Sequence, residues 1–489
     1  MCRRVEPLIR GLALASLLLV APGCTLGPNY MRPPIDPPAA FKSRPATQPA
    51  PPIPEAWWRL YNDPQLDQLV QMANDSNQSL RQALARVDQA RALTRVAGSY
   101  RLPTVTADPN ASRVRTSANK ASATTGKPTQ ASVAYNDWQI PFDLAYEIDI
   151  WGRVRRLVEA SKADEAATTD DLAVVQLTVA TDVATDYYTL RALDAQEQIL
   201  LQTVTGYAEQ VRIVSAQLRN GLVGPIDLDQ AQALLEATHA QLRDAQRARA
   251  DEEHALAVLC GRPAPSFSVP ANPLLEAEPP EVPPGLPAQL LTRRPDVAEA
   301  EQNVASFNAQ VGVATAELYP TFSLTGAVGF ESASFTHILD WKSKVAAIGA
   351  GMFAPIFEGG RLRANLAAVK AQYQQAVAGY LNQVLVAYQD VEDALTDLSA
   401  LTDEADRMRA AVAASEEYLR VARVQYKQGL ATYLIVIDAE RTLLANQLIL
   451  SRDINQQMAA SIHLIKALGG GWGAETLAPQ PIDAQRVQM

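Results

Sequence analysis

Two long segments of this chain contain no proline, residues 142–224 and 356–478. An interior proline costs a helix about 3 kcal/mol, so proline-free segments of this length favour very long helices. Ten of the 32 prolines lie instead between residues 28 and 54, and ten more lie between 263 and 295. These two clusters predict a non-helical N-terminal tail and a linker between two helical regions.

The chain also repeats itself, which predicts a duplicated unit of about 200 residues. The motif Gly152-Arg153-Val154-Arg155 recurs as Gly360-Arg361-Leu362-Arg363, and Gln217-Leu218-Arg219-Asn220-Gly221 recurs as Gln425-Tyr426-Lys427-Gln428-Gly429. An earlier match pairs positions from Asn77 to Thr104 with those from Arg294 to Thr321 at a longer spacing. The change in spacing locates a length difference in the polar stretch 117–128, where insertions are well tolerated.

Each copy is predicted to have the same order of elements. A first helix, a two-strand segment, a very long helix, a glycine-containing turn and a last helix follow one another. The predicted helices span about 65–100, 153–220 and 226–259 in the first copy, and about 288–318, 361–428 and 433–468 in the second. A helix over 153–220 would reach about 100 Å, a length that suits a protein spanning a wide compartment rather than a compact domain.

Apolar and polar residues alternate in the strand segments. The pattern runs from Trp138 to Ile150, over 321–331 and over 346–356, with a weaker strand near 104–116. Strands of this length can cross a bilayer with one face towards lipid and the other towards a lumen, although a half-buried soluble sheet also alternates. Four strands cannot close a barrel alone, so a membrane barrel would need two, three or four copies of the chain.

The N-terminus has the features of an export signal. Arg3, Arg4 and Arg10 precede an apolar run that ends before Pro22-Gly23-Cys24. A small residue before cysteine resembles a bacterial lipobox, so residues 1–23 are predicted to be removed and Cys24 to carry a diacylglycerol thioether and an N-acyl chain. An ordinary signal peptide with a chance cysteine is the alternative. Cys260 is then the remaining cysteine and is predicted to be a buried apolar residue rather than a nucleophile.

Net charge and motif content exclude several functions. The formal net charge of −10 gives no electrostatic basis for nucleic-acid binding. The four histidines lack metal-ligand spacing, no phosphate-binding loop motif occurs, and Gly469-Gly470-Gly471 is interpreted as a helix stop. We therefore expect no enzyme activity, no metal and no cofactor.

Several motifs taken together resemble the outer-membrane efflux lipoproteins of the OprM/NodT type, relatives of TolC. They are Cys24-Thr25-Leu26-Gly27-Pro28-Asn29-Tyr30, Trp57-Trp58, Tyr146-Glu147-Ile148-Asp149-Ile150-Trp151-Gly152-Arg153, Arg293-Arg294-Pro295-Asp296-Val297 and Gly469-Gly470-Gly471-Trp472. The resemblance implies a mainly α chain with a membrane β-barrel, in which a homotrimer forms a twelve-stranded barrel and a coiled-coil periplasmic tunnel. It also implies a lipid-anchored outer-membrane duct that works with a periplasmic adaptor and an inner-membrane transporter of the resistance-nodulation-division type.

The sequence patterns and the resemblance together divide the chain into six predicted regions. They are a signal peptide (1–23), an acylated tail (24–61), a first efflux repeat (62–262), a Pro-rich linker (263–287), a second efflux repeat (288–472) and a C-terminal tail (473–489). The function it implies is export of small molecules such as drugs. A duct for type I protein secretion and a pore-less periplasmic scaffold remain the alternatives.

The periplasmic constriction is expected near the turns at Gly221 and Gly429. Asp438 occupies the position at which the family has its constriction aspartate, although a solvated helix residue is the simpler interpretation from the sequence alone. The position three residues earlier, acidic in TolC, is Ile435. The residues predicted to form the periplasmic gate are Asp438, Lys427, Arg219 and Tyr426. Arg219 and Lys427 could instead be last-turn cations that favour the helix dipole. Asp143, Glu147 and Asp149 predict a cation preference in the lumen.

Overall fold

A computed structural model describes residues 25–43, 50–119 and 132–472. The predicted signal peptide, Cys24, most of the 117–128 loop and the C-terminal tail lie outside these residues. The chain divides into two compact units. Among the described residues, one unit contains residues 25–33, Asp88–Ala167 and Glu301–Gly379, and the other contains Pro34–Val87, Thr168–Ala300 and residues 380–472.

The first unit contains an antiparallel sheet. Its strands are β1 (Thr104–Ala107), β2 (Asn110–Arg115), β3 (Ala134–Ile148), β4 (Thr321–Ser332) and β5 (Lys344–Phe353). Both β1 and β2 pair with β3, β3 pairs with β4, and β4 pairs with β5. The outer edges of β1–β2 and of β5 therefore have no partner strand within the described part of the chain.

The weak strand predicted near 104–116 is interrupted. Ala107 pairs with Phe142 and Asn110 pairs with Gln139, so β1 and β2 keep one register along β3. The interruption includes Pro109, which has no backbone N–H to donate to the ladder, and Pro141 lies in the facing part of β3. The sheet thus has four strand positions, as predicted. The strand predicted to extend to 356 ends at Phe353, before a further proline at 355.

The register places most of the large apolar residues of the strands on one face; Val345 and Phe353 of β5 lie on the other face, opposite Gly329 and Thr321. Residues that pair directly across an antiparallel ladder have their side chains on the same side of the sheet. The pairs of β3 and β4 on this side are Trp138 with Ser332, Ile140 with Phe330, Phe142 with Val328, Leu144 with Gly326, Tyr146 with Leu324 and Ile148 with Phe322. Phe322 and Gly326 in turn face Met352 and Ile348 of β5. Ile348 is 84% exposed and Met352 is 66% exposed, so this apolar face is open in the single chain.

Two very long helices follow β3 and β5, and their bounds agree with the prediction to within one residue. The helices of the first copy are α1 (Pro64–Ser76), α2 (Gln78–Ser99), α3 (Arg153–Arg219) and α4 (Pro225–Leu259). Those of the second copy are α5 (Leu290–Arg293), α6 (Pro295–Ala316), α7 (Arg361–Lys427) and α8 (Tyr433–Ala467). Within the described ranges, no helix is both long and apolar enough to cross a bilayer.

The prediction of one continuous first helix in each copy was wrong, because each of these two segments forms two helices. Between α1 and α2, Asn77 has extended backbone angles, and its side-chain oxygen accepts from the amides of Ser79 and Leu80 at 2.8 and 3.1 Å. It is therefore the N-cap of α2. Between α5 and α6 the break occurs at Arg294, because helical backbone angles are disfavoured for a residue that precedes a proline.

Buried ion pairs tie distant segments together in the second unit. Arg294 is 7% exposed, and its guanidinium pairs with Asp296 at 2.6 Å and with Asp390 at 2.9 Å. Asp194 is fully buried between Arg191 at 2.9 Å and Arg249 at 2.6 Å. Arg294 thus joins the start of α6 to α7, and Asp194 joins α3 to α4.

Cys260 is fully buried and free, as predicted for a small apolar residue. Burial raises the pKa of its thiol to about 11, so it stays protonated and unreactive.

Candidate functional site: the helix turns

The turns that follow α3 and α7 have the same geometry. Gly221 has φ +70° and Gly429 has φ +73°, values that a residue with a side chain rarely adopts. In the first turn the amide of Leu222 donates to the carbonyl of Gln217 at 3.0 Å, and the second turn repeats this bond at 2.9 Å. This is a Schellman motif, in which glycine ends a helix and satisfies its last carbonyl groups. The two turn glycines therefore reverse the chain, as the sequence predicted.

Tyr426 links the two repeats near these turns. Its hydroxyl, on α7, donates to the side-chain oxygen of Gln217 on α3 at 2.9 Å. Its ring also packs on Tyr433 of α8, with ring centroids 5.6 Å apart. Tyr426 therefore connects three helices, and this contact requires the long helices of both repeats to end at the same level.

Asp438 lies on an exposed part of α8, six residues into the helix. One of its carboxylate oxygens accepts a hydrogen bond from the Tyr418 hydroxyl of α7 at 3.1 Å. Asp438 also lines an open groove between α4 and α8, together with Arg441. The structure therefore gives Asp438 one partner, Tyr418, that the sequence analysis missed.

A buried carboxylate two residues further along α8 was also missed. The side chain of Glu440 is 4% exposed and pairs with Arg423 of α7 at 2.9 Å. Its second oxygen has no hydrogen-bond partner. Burial raises the pKa of Glu440, while Arg423 opposes the shift. The spacing of Tyr433, Ile437, Glu440 and Leu444 is that of a coiled-coil seam, so periodicity alone would have placed this glutamate inside.

Arg219 and Lys427 are the exposed last residues of α3 and α7. Neither makes an ion pair within 4 Å among the described residues, so neither is joined to Asp438 within one chain. Their position suits the negative end of the helix dipole. Asp227 has a separate role at the start of α4, where its carboxylate accepts from the amide of Gly224 at 3.1 Å.

Two of the three acidic residues predicted to line the lumen have local partners. Asp149 accepts from the amides of Val154 and Arg155 at 3.1 and 3.0 Å and so caps α3. Glu147 pairs with Arg153 at 2.6 Å. Ion pairs with Arg153 and Arg155 offset the charges of Glu147 and Asp149, and Asp143 is exposed on the polar face of β3. The cation preference of the lumen stays a prediction. Within the described residues, no group of His, Cys, Asp and Glu side chains could hold a metal ion.

Comparisons with known proteins agree with this architecture. A family model described as outer membrane efflux protein matches residues 69–262 and again 286–470, which confirms that the chain contains two copies of one repeat. The chain is 31% identical over 473 residues to the probable efflux pump outer membrane protein TtgC of Pseudomonas putida, and the match covers 95% of this chain and 96% of that protein.

Solved structures are similar over almost the whole chain. The outer-membrane channel OprN superposes with a TM-score of 0.84 and 29% identity, covering 92% of this chain and all of the other. The CmeC outer membrane channel of Campylobacter jejuni also gives a TM-score of 0.84, with 26% identity over 92% of this chain and 96% of the other.

Proposed function

This chain belongs to the outer membrane efflux protein family, and we propose that it is the exit duct of a tripartite pump that passes small molecules to the outside. The observation that carries the proposal is the division of the sheet into an apolar and a polar face. From Trp138 to Ile148 a strand rises about 33 Å, which a tilt near 40° reduces to about 25 Å, the height of the apolar band of an outer-membrane barrel.

Closure of that barrel requires more than one copy. The edges of β1–β2 and β5 carry unpaired backbone groups, and such edges are not stable in lipid. Three copies with four strand positions each would make a closed twelve-stranded barrel, with β5 of one copy beside β1–β2 of the next. The homotrimer also places three copies of α3, α4, α7 and α8 around one axis as the periplasmic tunnel.

The partners follow from this role. A passive duct needs an energised inner-membrane transporter, of the resistance-nodulation-division type, and a periplasmic adaptor between the two. Relatives carry names such as antibiotic efflux and toluene efflux pump outer membrane protein. We assign drugs and similar small molecules to this chain as substrates, in preference to the proteins exported by type I secretion.

Cys24 is the proposed lipid attachment site. We expect cells that express the full chain to incorporate labelled palmitate into the mature protein, and the Cys24→Ser variant to incorporate none. The measurement is radiolabel or click label on the immunoprecipitated band. Equal labelling of the two proteins, or no labelling of either, would contradict lipid attachment at Cys24 and support an ordinary signal peptide.

Asp438 is the proposed constriction residue. Its exposure and its place just beyond the Gly429 turn would allow three copies to form a ring of carboxylates around the threefold axis. Tyr418 holds one oxygen of each carboxylate, and the other stays available to cations or water. Arg219, Lys427 and Tyr426 lie at the same end of the long helices and are proposed to hold neighbouring helix pairs closed.

The test is single-channel conductance of the purified full-length protein in a planar bilayer. The wild type should conduct, whereas a pore-less scaffold would not. Asp438→Ala should raise the conductance, because it removes the charge ring and the Tyr418 hydrogen bond while leaving trimers intact on native gels. Asp403→Ala removes an exposed carboxylate elsewhere on α7 and is the control. Conductance of Asp438→Ala equal to that of the control would contradict the constriction assignment.

A further inference from the structure

The apolar face of the sheet becomes cationic at one end. Ala111 of β2 pairs with Trp138, the next same-face residue is Arg113 opposite Asn136, and Arg115 follows opposite Ala134. Both arginines therefore share the face of the proposed lipid-contacting residues, just beyond the apolar band. Both are exposed, and among the described residues Arg113 makes no ion pair.

The other edge of the sheet carries a third cation at the same end. Lys344 begins β5 and pairs with Phe330, which places it on the apolar face. Its ammonium lies 4.3 Å from the centre of the Trp341 ring, and Trp341 is 79% exposed. Phe335 packs on Trp138 with centroids 5.0 Å apart, so aromatic rings accompany the cations. Aromatic side chains of this kind mark the border of the apolar band in outer-membrane barrels.

Charge is segregated between the two faces of the sheet. The carboxylates of the strands, Asp137, Asp143, Glu147 and Glu331, lie on the polar face by register. The five strands place no carboxylate on the apolar face, where their charged residues are Arg113, Arg115 and Lys344. A partner for that face must therefore be both apolar and anionic.

The direction of the chain identifies which end this is. After β3 and β5 the chain enters the long helices α3 and α7, so the opposite ends of these strands face away from the periplasm. The cations lie at those opposite ends. In the proposed closed ring, β5 of one copy lies beside β1–β2 of the next, which brings Lys344 to the same seam as Arg113 and Arg115. Three like charges at one seam repel each other unless an anion lies among them.

We propose that Arg113, Arg115 and Lys344 bind the phosphate groups of the phosphorylated glycolipid in the outer leaflet of the outer membrane. The inference rests on the proposed function, since it requires the barrel to lie in that membrane. Arginine suits this task because its guanidinium forms paired hydrogen bonds to phosphate. Trp341 and Phe335 contact the acyl chains near the headgroups, where amphipathic rings are stable.

The test compares lipid retention by the full-length trimer. Wild type and variants are reconstituted in phosphatidylcholine vesicles that contain either lipid A or phosphatidylglycerol at equal charge, and the lipid that remains bound is counted by native mass spectrometry. Arg113→Ser with Arg115→Ser should weaken lipid A retention about thirty-fold, since each surface cation contributes roughly a fivefold increase in affinity. Arg113→Lys with Arg115→Lys keeps the charge, so its lipid A retention should fall much less.

Two controls separate the possible causes of a failure. Lys162→Ser with Lys370→Ser removes two exposed cations from α3 and α7 and should retain lipid A like the wild type. Bilayer conductance, measured on every variant, reports the duct itself. Equal lipid A retention by the double serine variant, or equal retention of phosphatidylglycerol by the wild type, would overturn the glycolipid site while conduction persists. Absence of conduction from the wild type would instead overturn the proposed function.

Discussion

Two half-buried carboxylates of the second unit, Glu299 and Glu252, have pKa values near 7. Glu299 on α6 faces Asp171, Asp296 and Asp170, with Arg86 as the opposing charge, and burial followed by these neighbours raises its pKa to about 7. Burial and the neighbouring Asp186 also raise the pKa of Glu252 to about 7. At the pH of a neutral periplasm, both groups therefore exchange protons.

This predicts that stability falls as the pH rises from about 5 to about 7 and levels off near pH 8. A folded-state pKa above the unfolded value means that the folded protein binds the proton more tightly, so the stabilising contribution is present at low pH and is lost through pH 7. Thermal unfolding should show a lower melting temperature at pH 8 than at pH 5. Glu299→Gln should flatten the dependence by roughly 1 kcal/mol, a value reduced for partial solvent exposure.

The exposed Glu416→Gln is the matched control for this measurement, because it removes one carboxylate from the surface of α7. An unchanged pH dependence in Glu299→Gln, with the control equal to the wild type, would show that Glu299 does not titrate in this range.

The ends of the helices have different tolerances to substitution. At Gly429 an added Cβ would meet nothing within 4 Å, so only the backbone angle restricts the residue. At Gly469 an added Cβ would overlap the backbone carbonyl oxygen of Arg293. The glycine run after α8 is therefore more than a helix stop, because it allows close backbone contact with α5.

We expect Gly429→Ala to lower the free energy of unfolding by about 1 kcal/mol, which is the strain of a left-handed residue with a side chain. Gly469→Ala should cost several kcal/mol, because the carbonyl cannot move without shifting α5. Urea denaturation followed by circular dichroism measures both variants. Similar losses in the two variants would contradict the close contact at Gly469.

The long elements could be predicted from sequence, and the contacts between them could not. Proline-free segments and glycine turns give α3 and α7 to within one residue, because these signals are local. The breaks at Asn77 and Arg294 also had local signals, namely a capping residue and a following proline. The prediction of continuous helices gave more weight to the helical periodicity than to these signals. The partners of Asp438 and Glu440 lie on another helix, and nothing in the sequence near these residues specifies Tyr418 or Arg423.

At the scale of the whole molecule, one face of the sheet must tolerate lipid and the other water. Ile348 and Ala347 are neighbours on β5 with side chains on opposite faces, and both are exposed in the single chain. Lysine at position 348 would lie in the apolar band, whereas lysine at 347 would point to the lumen. The two substitutions add the same charge to the same strand.

We expect Ile348→Lys to destabilise the proposed membrane-embedded trimer by roughly 2–4 kcal/mol and Ala347→Lys to have a much smaller effect. Trimer yield in the outer-membrane fraction, with heat-modified gel mobility as the readout, distinguishes them. Equal yields would show that Ile348 does not face lipid.

The unpaired edges of β1–β2 and β5 have a genetic consequence. In the proposed ring each copy must supply both edges, so a subunit that folds but has one damaged edge still joins one neighbour through the intact edge. Every assembly that includes such a subunit then stays open on one side. Alleles of this kind would be dominant over the wild-type gene, whereas alleles that prevent folding altogether would be recessive.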